Sequence, residues 1–363
     1  METITTLLAF LTWSGACQAF PRTGPAQAWP GWGGIKHMFV FGDSYSQTGF
    51  NVGGTQPAPG NPLGNPTYPG CTSSNGPNWV DFLTTTYNDS LVLTYNLASG
   101  GATVDSDLVR PYADTVLSIK DQVENGYLTK YGDADFWDPS STLFAFWIGI
   151  NDVGNAHEWP NNTSGEVFDL VFSQYSTLVE KVVGTGARNF VFLNVPPVQR
   201  TPLTTQQASA NPNVVLREEA AVKSWNKRID ALASNLQTKH QGITAMMFDA
   251  YSVFSKVLDN PKAYAQTAGY TKTVGYCTSY EKYASRPKLD ERMQTDWNDS
   301  GMPDKDTFTP SCGAPVNQYF WLNPLHPTYP MHDATAYELA KVLSRDVPAT
   351  SKVARRRRGN AAV

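Results

Sequence analysis

The chain has 363 residues, of which 41% are hydrophobic and 17% are charged. This composition is too apolar for a disordered protein, and the length is enough to bury a large core. A net charge of −4 gives no basic surface for nucleic acid. No stretch beyond the amino end reaches the roughly 20 apolar residues that cross a bilayer, so no integral membrane segment is expected.

The amino end has the pattern of a secretory signal peptide, over residues 1–19. A short apolar region from Leu7 to Ala16 is followed by small residues that end at Ala19. Glu2 stands where a positive residue is usual, and the alternative is a buried amino-terminal segment. We expect secretion, one domain over residues 20–350, and a basic flexible tail over 351–363 that contains four consecutive arginines.

Strand-like apolar runs alternate with helical patterns along the domain. The runs are His37–Phe41, Val92–Asn96, Leu143–Ile148, Phe190–Asn194 and Thr244–Phe248. Amphipathic helices are predicted over Glu166–Val183, with Leu170 and Val171 on the apolar face, and over Val214–His240. This alternation predicts a three-layer α/β/α fold with about five parallel strands, whose carboxyl ends share one edge.

Two long inserts interrupt this alternation, at residues 52–69 and 262–318. Long loops in compact domains are usually functional or disordered. The second insert is rich in aromatic residues, among them Tyr270, Tyr280, Tyr283 and Trp297. Its rings either form a platform for sugars at the carboxyl edge of the sheet or simply pack the insert.

Four short motifs carry residue types suited to acyl transfer. They are Gly42-Asp43-Ser44, Asn96 to Ala102 with Gly100-Gly101, Gly149-Ile150-Asn151-Asp152, and Leu325-His326-Pro327-Thr328. The first and third directly follow buried strands, and open α/β sheets bind ligands at that edge. A serine there becomes a nucleophile when a base and oxyanion donors converge on it.

The order of these motifs resembles that of the SGNH/GDSL family of serine esterases. Within the family, the likeness is greatest to fungal secreted acetylesterases acting on plant cell-wall oligosaccharides. It rests on residues 75–80, 319–323 and 326–330, and it extends from about Lys36 to Leu343. The resemblance implies a flavodoxin-like sheet and a serine nucleophile.

The resemblance also implies the catalytic roles. Ser44 is expected to be the nucleophile, and His326 is expected to take its proton as the base. His332 is the alternative base. The expected oxyanion donors are the backbone N–H groups of Ser44 and Gly101 and the side-chain amide of Asn151.

Further positions around these motifs are assigned by the same comparison. Gly101 is preferred to Gly100 because it lies five residues after Asn96, as in the family. A glycine there would let the backbone approach the substrate closely. Asp43 and Asp152 are expected to be structural, bonding nearby backbone N–H groups.

The chain departs from the family pattern in three places. The family usually has Asp three residues before the histidine, where this chain has Asn323. An amide orients an imidazole but stabilises its cation poorly. The orienting group is therefore Asn323, a backbone carbonyl or a distant acid such as Asp333 or Asp249. Gln47 and Phe50 also stand where relatives often have Asp and Asn.

The cysteines and sequons suit a secreted glycoprotein. Once Cys17 is removed with the signal, we expect Cys277 to pair with Cys312, because both flank a loop within the second insert that is rich in Gly, Pro and Tyr and lacks core-type periodicity. Cys71 is then expected to be a buried free thiol. The candidate glycosylation sites in Asn-x-Ser/Thr sequons are Asn88, Asn161, Asn162 and Asn298.

The expected function is removal of acetyl groups from plant cell-wall oligosaccharides by a secreted, monomeric serine esterase. The substrate would be an acetylated oligosaccharide or another small ester. A lipid acyl hydrolase and a carbohydrate-binding protein without turnover are the alternatives. The sequence shows no metal-ligand motif and no phosphate-binding loop, so no cofactor is expected.

Overall fold

The computed structural model describes residues 29–157, 165–284 and 303–345. Some predictions lie outside the described residues. These are the signal peptide at 1–19, the sequons at Asn161, Asn162 and Asn298, and the basic tail at 351–363. Among the described residues, no helix is long and apolar enough to cross a membrane.

The centre of the fold is a parallel sheet of five strands in the order β2-β1-β3-β4-β5. The strands are β1 His37–Gly42, β2 Leu93–Asn96, β3 Thr142–Trp147, β4 Asn189–Leu193 and β5 Thr244–Phe248. Val40 of β1 is in register with Asn96 of β2 and with Ala145 of β3. This strand order is the flavodoxin-like one, and the order reverses between β1 and β3, where such sheets bind ligands.

Both faces of the sheet are buried, which explains why the strands are apolar without alternation. On one face, phenylalanines of neighbouring strands contact each other because the parallel register aligns them. The ring centroids of Phe41 and Phe146 are 4.6 Å apart, and those of Phe146 and Phe192 are 5.6 Å apart. These phenylalanines form the centre of the core.

Helices cover the two faces. The α-helices are α1 Trp79–Thr85, α2 Ile119–Asp121, α3 Leu128–Lys130, α4 Ile150–Ala156, α5 Glu166–Gly184, α6 Pro202–Gln207, α7 Val214–Lys239, α8 Ala250–Asp259, α9 Thr278–Ala284 and α10 Tyr329–Leu343. A π-helix at Gln122–Tyr127 joins α2 to α3. Helices α1, α8 and α10 pack together on one side, and α5 and α7 pack together on the other. The predicted three-layer α/β/α fold is confirmed.

One residue of the predicted apolar face of α5 was assigned wrongly. Leu170 is 59% exposed, although Val171 is buried as expected. The core-facing positions are occupied by Phe168 and Tyr175 instead, together with Leu178. Leu170 is two residues from Phe168, so it projects from nearly the opposite side of the helix.

The second insert has a small core of its own. Cys277 and Cys312 are joined by a disulfide, and Cys71 is a buried free thiol. Tyr280 is buried and donates a hydrogen bond to the carbonyl of Ala314. Tyr270 is also buried. Tyr280 packs in the insert core and Tyr270 packs in the main core, so neither ring forms an open platform. The side chain of Tyr283 and Trp297 lie outside the described residues.

Candidate active site

Ser44 lies in a tight turn directly after β1. The carbonyl of Asp43 accepts hydrogen bonds from the N–H groups of Ser46 and Gln47, and this closes the turn. Gln122 holds the end of β1, because its side-chain amide bonds both the N–H and the carbonyl of Gly42 at 2.9 Å each. The serine hydroxyl is thus presented from a fixed backbone at the carboxyl edge of the sheet.

The loop before α10 brings His326 to this hydroxyl. Nε2 of His326 is 2.8 Å from Oγ of Ser44, although the two residues are 282 positions apart in the chain. Tyr45 connects the two segments a second time, since its hydroxyl donates to the carbonyl of Leu325 at 2.7 Å. Serine and histidine are therefore held together by the contact between them and by a neighbouring bond.

Asn323 orients the imidazole. Its Oδ1 accepts the backbone N–H groups of Leu325 and His326 at 2.9 and 2.8 Å, and it is 3.1 Å from Nδ1 of His326. An atom that receives two backbone donors must be the amide oxygen, so Nδ1 of the histidine donates to it. Nε2 is then the unprotonated nitrogen, which is the tautomer that can accept the proton of Ser44.

The two acids considered as alternative orienting groups have other partners. Asp333 accepts a hydrogen bond from the hydroxyl of Tyr87. Asp249 caps the start of α8 through the N–H of Ser252. Neither forms a hydrogen bond with His326 among the described residues, so Asn323 occupies the place of the acid.

Burial keeps the histidines neutral. Removal from water disfavours the imidazolium and lowers the pKa of His326 to about 4. The same effect lowers the pKa of His332 to about 3, with a smaller contribution from His326. His332 lies against the ring of Tyr45 and forms no hydrogen bond with Ser44 among the described residues. Of the two candidates, only His326 is therefore placed to accept the serine proton.

Two backbone N–H groups in the first two motifs have no hydrogen-bond acceptor among the described residues. They are those of Ser44 and Gly101. In the segment from Leu97 to Ala102, every other N–H is bonded, including that of Gly100, which donates to Oε1 of Gln47. Unpaired backbone donors at the edge of the sheet that carries a nucleophile are available to stabilise an oxyanion.

The third expected donor is fixed by the same segment. Asn151 lies in the first turn of α4, which follows β3, and its Nδ2 donates to the carbonyl of Ala102 at 2.9 Å. An amide nitrogen carries two hydrogens, so this bond orients the side chain and leaves one hydrogen for a ligand. Asn151 can therefore act together with the donors of Ser44 and Gly101.

Gly101 also has a structural reason to be glycine. Its φ is +86°, a conformation that side chains disfavour. A Cβ atom there would lie 2.3 Å from Cε1 of Tyr112, because the tyrosine ring occupies the space above the glycine. The absence of a side chain at position 101 thus makes room for the ring of Tyr112.

Two buried aspartates support the donor segments. Oδ1 of Asp43 accepts the N–H of Tyr45 at 2.9 Å, and Oδ1 of Asp152 accepts the N–H of Val104 at 3.1 Å. Burial raises the pKa of both carboxyls to about 7.

No group of side chains able to hold a metal ion occurs within the described ranges.

Comparison with known proteins bears on this geometry. The family model for GDSL-like lipase/acylhydrolase proteins matches residues 38–311. An acetylesterase from Thermothelomyces thermophilus is 43% identical over 265 residues, which are 72% of this chain and 83% of the relative. The chain belongs to the GDSL lipase/acylhydrolase family. It is a carboxylic ester hydrolase of the GDSL type.

More distant relatives are also found. The Arabidopsis thaliana protein GDSL esterase/lipase 3 is 24% identical over 268 residues, covering 64% of this chain and 70% of the relative. The crystal structure of Axe2, an acetylxylan esterase from Geobacillus stearothermophilus, aligns with a TM-score of 0.44 and 14% identity. The alignment covers 85% of this chain and 94% of that one.

Three contributors to the site were not assigned from the sequence. Gln47, Gln122 and Tyr45 hold the segments that carry the reacting groups, and their bonds join residues 53, 80 and 280 positions apart. A single sequence gives no signal for such pairs. The departure at Gln47 was visible, but its effect on the donor segment was not.

Proposed function

We propose that this GDSL hydrolase is a secreted acetylesterase that removes acetyl groups from plant cell-wall oligosaccharides. The observation that carries the proposal is the 2.8 Å contact between Oγ of Ser44 and Nε2 of His326. The N–H groups of Ser44 and Gly101, which have no acceptor among the described residues, are available to the oxyanion. The acetylesterase that is 43% identical supports an acetyl substrate. Ser44 is then the nucleophile, His326 the base and Asn323 the group that positions it.

The geometry implies a two-step reaction. Nε2 of His326 takes the proton of Ser44 while Oγ attacks the ester carbonyl carbon, and the oxyanion is held by Ser44, Gly101 and Asn151. The C–O bond to the sugar then breaks, and the leaving oxygen takes the proton from the imidazolium. Water repeats the sequence on the acetyl-serine and releases acetate and free Ser44.

We expect acetyl esters to be cleaved faster than octanoyl esters. A series of 4-nitrophenyl esters from C2 to C8, which share one leaving group, measures this preference as kcat/KM. The reason is the similarity to an acetylesterase over 72% of the chain. If kcat/KM instead rises with chain length, the enzyme is a lipid acyl hydrolase, the alternative function that the sequence left open.

Secretion is supported by the disulfide between Cys277 and Cys312, since such bonds persist in oxidising compartments. Asn88 is the candidate sequon among the described residues, and it is half-buried at the surface. The disulfide between Cys277 and Cys312 closes a loop with a sequence separation of 35 residues, which is expected to stabilise the fold by roughly 3–4 kcal/mol.

Peptide mapping of protein from a culture supernatant tests this proposal. Without reduction, we expect one peptide pair that joins Cys277 to Cys312. Cys71 should react with alkylating reagents only after unfolding, because it is buried and burial raises the pKa of its thiol. The same map should begin after Ala19. A bridge that involves Cys71, or retention of residues 1–19, would contradict the proposal.

A further inference from the structure

A large aromatic ring lies in the open beside the oxyanion donors. Tyr112 is 82% exposed. Its ring nevertheless lies against Gly101, since Cε1 and Cδ1 are 2.3 and 2.7 Å from the position that a Cβ of Gly101 would take. An exposed aromatic side chain leaves much apolar surface in water. Its location next to a group that binds the substrate carbonyl makes it a candidate contact for substrate.

The loop that carries Tyr112 is held at both ends. Val109 is buried, and its N–H donates to the carbonyl of Asp105 at 3.0 Å. Val116 is also buried, and it lies against the same face of Gly101. The carbonyl of Arg110 accepts a hydrogen bond from the side chain of Asn155 in α4. The backbone that carries the ring is therefore held in place before any ligand arrives, which lowers the entropic cost of binding to it.

The position of the ring decides which part of a substrate can reach it. The carbonyl oxygen must lie about 3 Å from the N–H of Gly101. An acetyl group adds a single methyl beyond that carbon, and it stays close to Ser44. Tyr112 lies at the open rim, so only a group that protrudes from the site can cover its exposed face. In an acetylated sugar, that group is the alcohol part of the ester.

We propose that Tyr112 is a specificity residue that binds the pyranose ring of the substrate. The C–H groups on one side of a pyranose form an apolar face, and such a face packs well on an aromatic ring. The proposal rests on the proposed function, because it requires a sugar as the leaving alcohol. It concerns recognition alone, so the chemistry at Ser44 remains as described.

Two acetyl esters with different alcohols test this role. One is a methyl glucopyranoside carrying a single acetyl group, and the other is ethyl acetate, which has no ring. For Tyr112→Ala we expect kcat/KM for the sugar ester to fall about 10-fold, mainly through KM. The change for ethyl acetate should be much smaller. Tyr112→Phe and Tyr112→Trp should retain activity on the sugar ester, because the ring face is kept.

A matched control is Phe136→Ala. Phe136 is 44% exposed and contacts His37 at the start of β1, the edge of the sheet opposite Ser44. This variant should preserve the ratio between the two substrates. The melting temperature of Tyr112→Ala should match that of the wild type, because an exposed ring contributes little to the core.

Two outcomes would overturn the role of Tyr112 and leave the proposed function intact. Equal losses on both esters would mean that Tyr112 acts by supporting Gly101, and no loss on either would mean that the ring has no part in binding. A third outcome concerns the wild type. If it hydrolyses ethyl acetate and leaves the sugar ester intact, the proposed function fails, and the role of Tyr112 fails with it.

Discussion

Replacing Ser44 by alanine is expected to lower kcat for ester hydrolysis by at least about 1,000-fold, the scale of losses at catalytic triads. The hydroxyl makes the first attack on the substrate carbonyl carbon and forms the acetyl-enzyme in the proposed reaction, and His326 cannot substitute for it. The fold should be unchanged, because the recorded hydrogen bond of the Ser44 side chain is the one to His326. A residual kcat above about a thousandth of the wild-type value would exclude Ser44 as the nucleophile.

Ser46→Ala is the matched control for this experiment. Ser46 is a buried serine in the same turn, and its Oγ accepts the indole N–H of Trp79 at 3.1 Å. Its removal leaves a buried donor unpaired, which costs about 1–3 kcal/mol of stability. We expect this variant to lose stability and keep most of its activity, the reverse of Ser44→Ala. A fluorophosphonate probe should label Ser46→Ala and the wild type, and leave Ser44→Ala unlabelled.

The second large effect is expected at Asn323. Asn323→Ala should lower kcat roughly 10- to 100-fold, less than the ~10⁴ that follows loss of a triad acid. The Asn323 amide orients the imidazole but carries no charge to stabilise the imidazolium. Its removal therefore lowers kcat less than removal of a triad acid does. Its Oδ1 also receives the N–H groups of Leu325 and His326, and part of the loss therefore reflects a looser loop.

Asn323→Asp separates charge from geometry. The same three donors that surround Oδ1 would stabilise a carboxylate, so we expect this variant to fold and to remain active. A negative charge beside Nδ1 raises the pKa of His326 above its wild-type value of about 4. The base must be neutral to act, so the loss of kcat/KM in acid should begin at a higher pH.

The pH profile of kcat/KM decides between the possibilities. An unchanged acidic limb in Asn323→Asp would show that position 323 does not contact the base in solution. A loss for Asn323→Ala as large as that for His326→Ala would make the amide indispensable to the pair. No loss in Asn323→Ala would place the orienting group elsewhere, and Asp333 and Asp249 would be substituted next.

The sheet was predictable because its strands are buried on both faces. Each predicted boundary lies within one residue of the observed one, from His37 in β1 to Phe248 in β5. Continuous apolar runs bounded by polar residues carry that information locally. The helical segment from Ile119 to Lys130 was not predicted, because it contains a π-helix and turns the polar side chain of Gln122 inward to bond Gly42.

The residues of the candidate site that belong to a short sequence motif were predictable. The motifs identified Ser44, Gly101, Asn151 and His326, and the structure brings these residues to one edge of the sheet. The motifs do not predict the contacts that hold these segments in place. The bond between Tyr45 and Leu325 and the position of Tyr112 above Gly101 depend on chain segments meeting in space.

A chain growing from its amino end acquires Ser44 early and His326 only 282 residues later. During that interval the serine has no base, so an unfinished polypeptide cannot turn over esters in the cell that makes it. Catalysis begins when the two ends of the domain meet, and such distant contacts are among the slower events of folding. The rate at which activity appears during refolding therefore reports when the two ends of the domain come together. A product truncated before His326 shows no esterase activity in the assay.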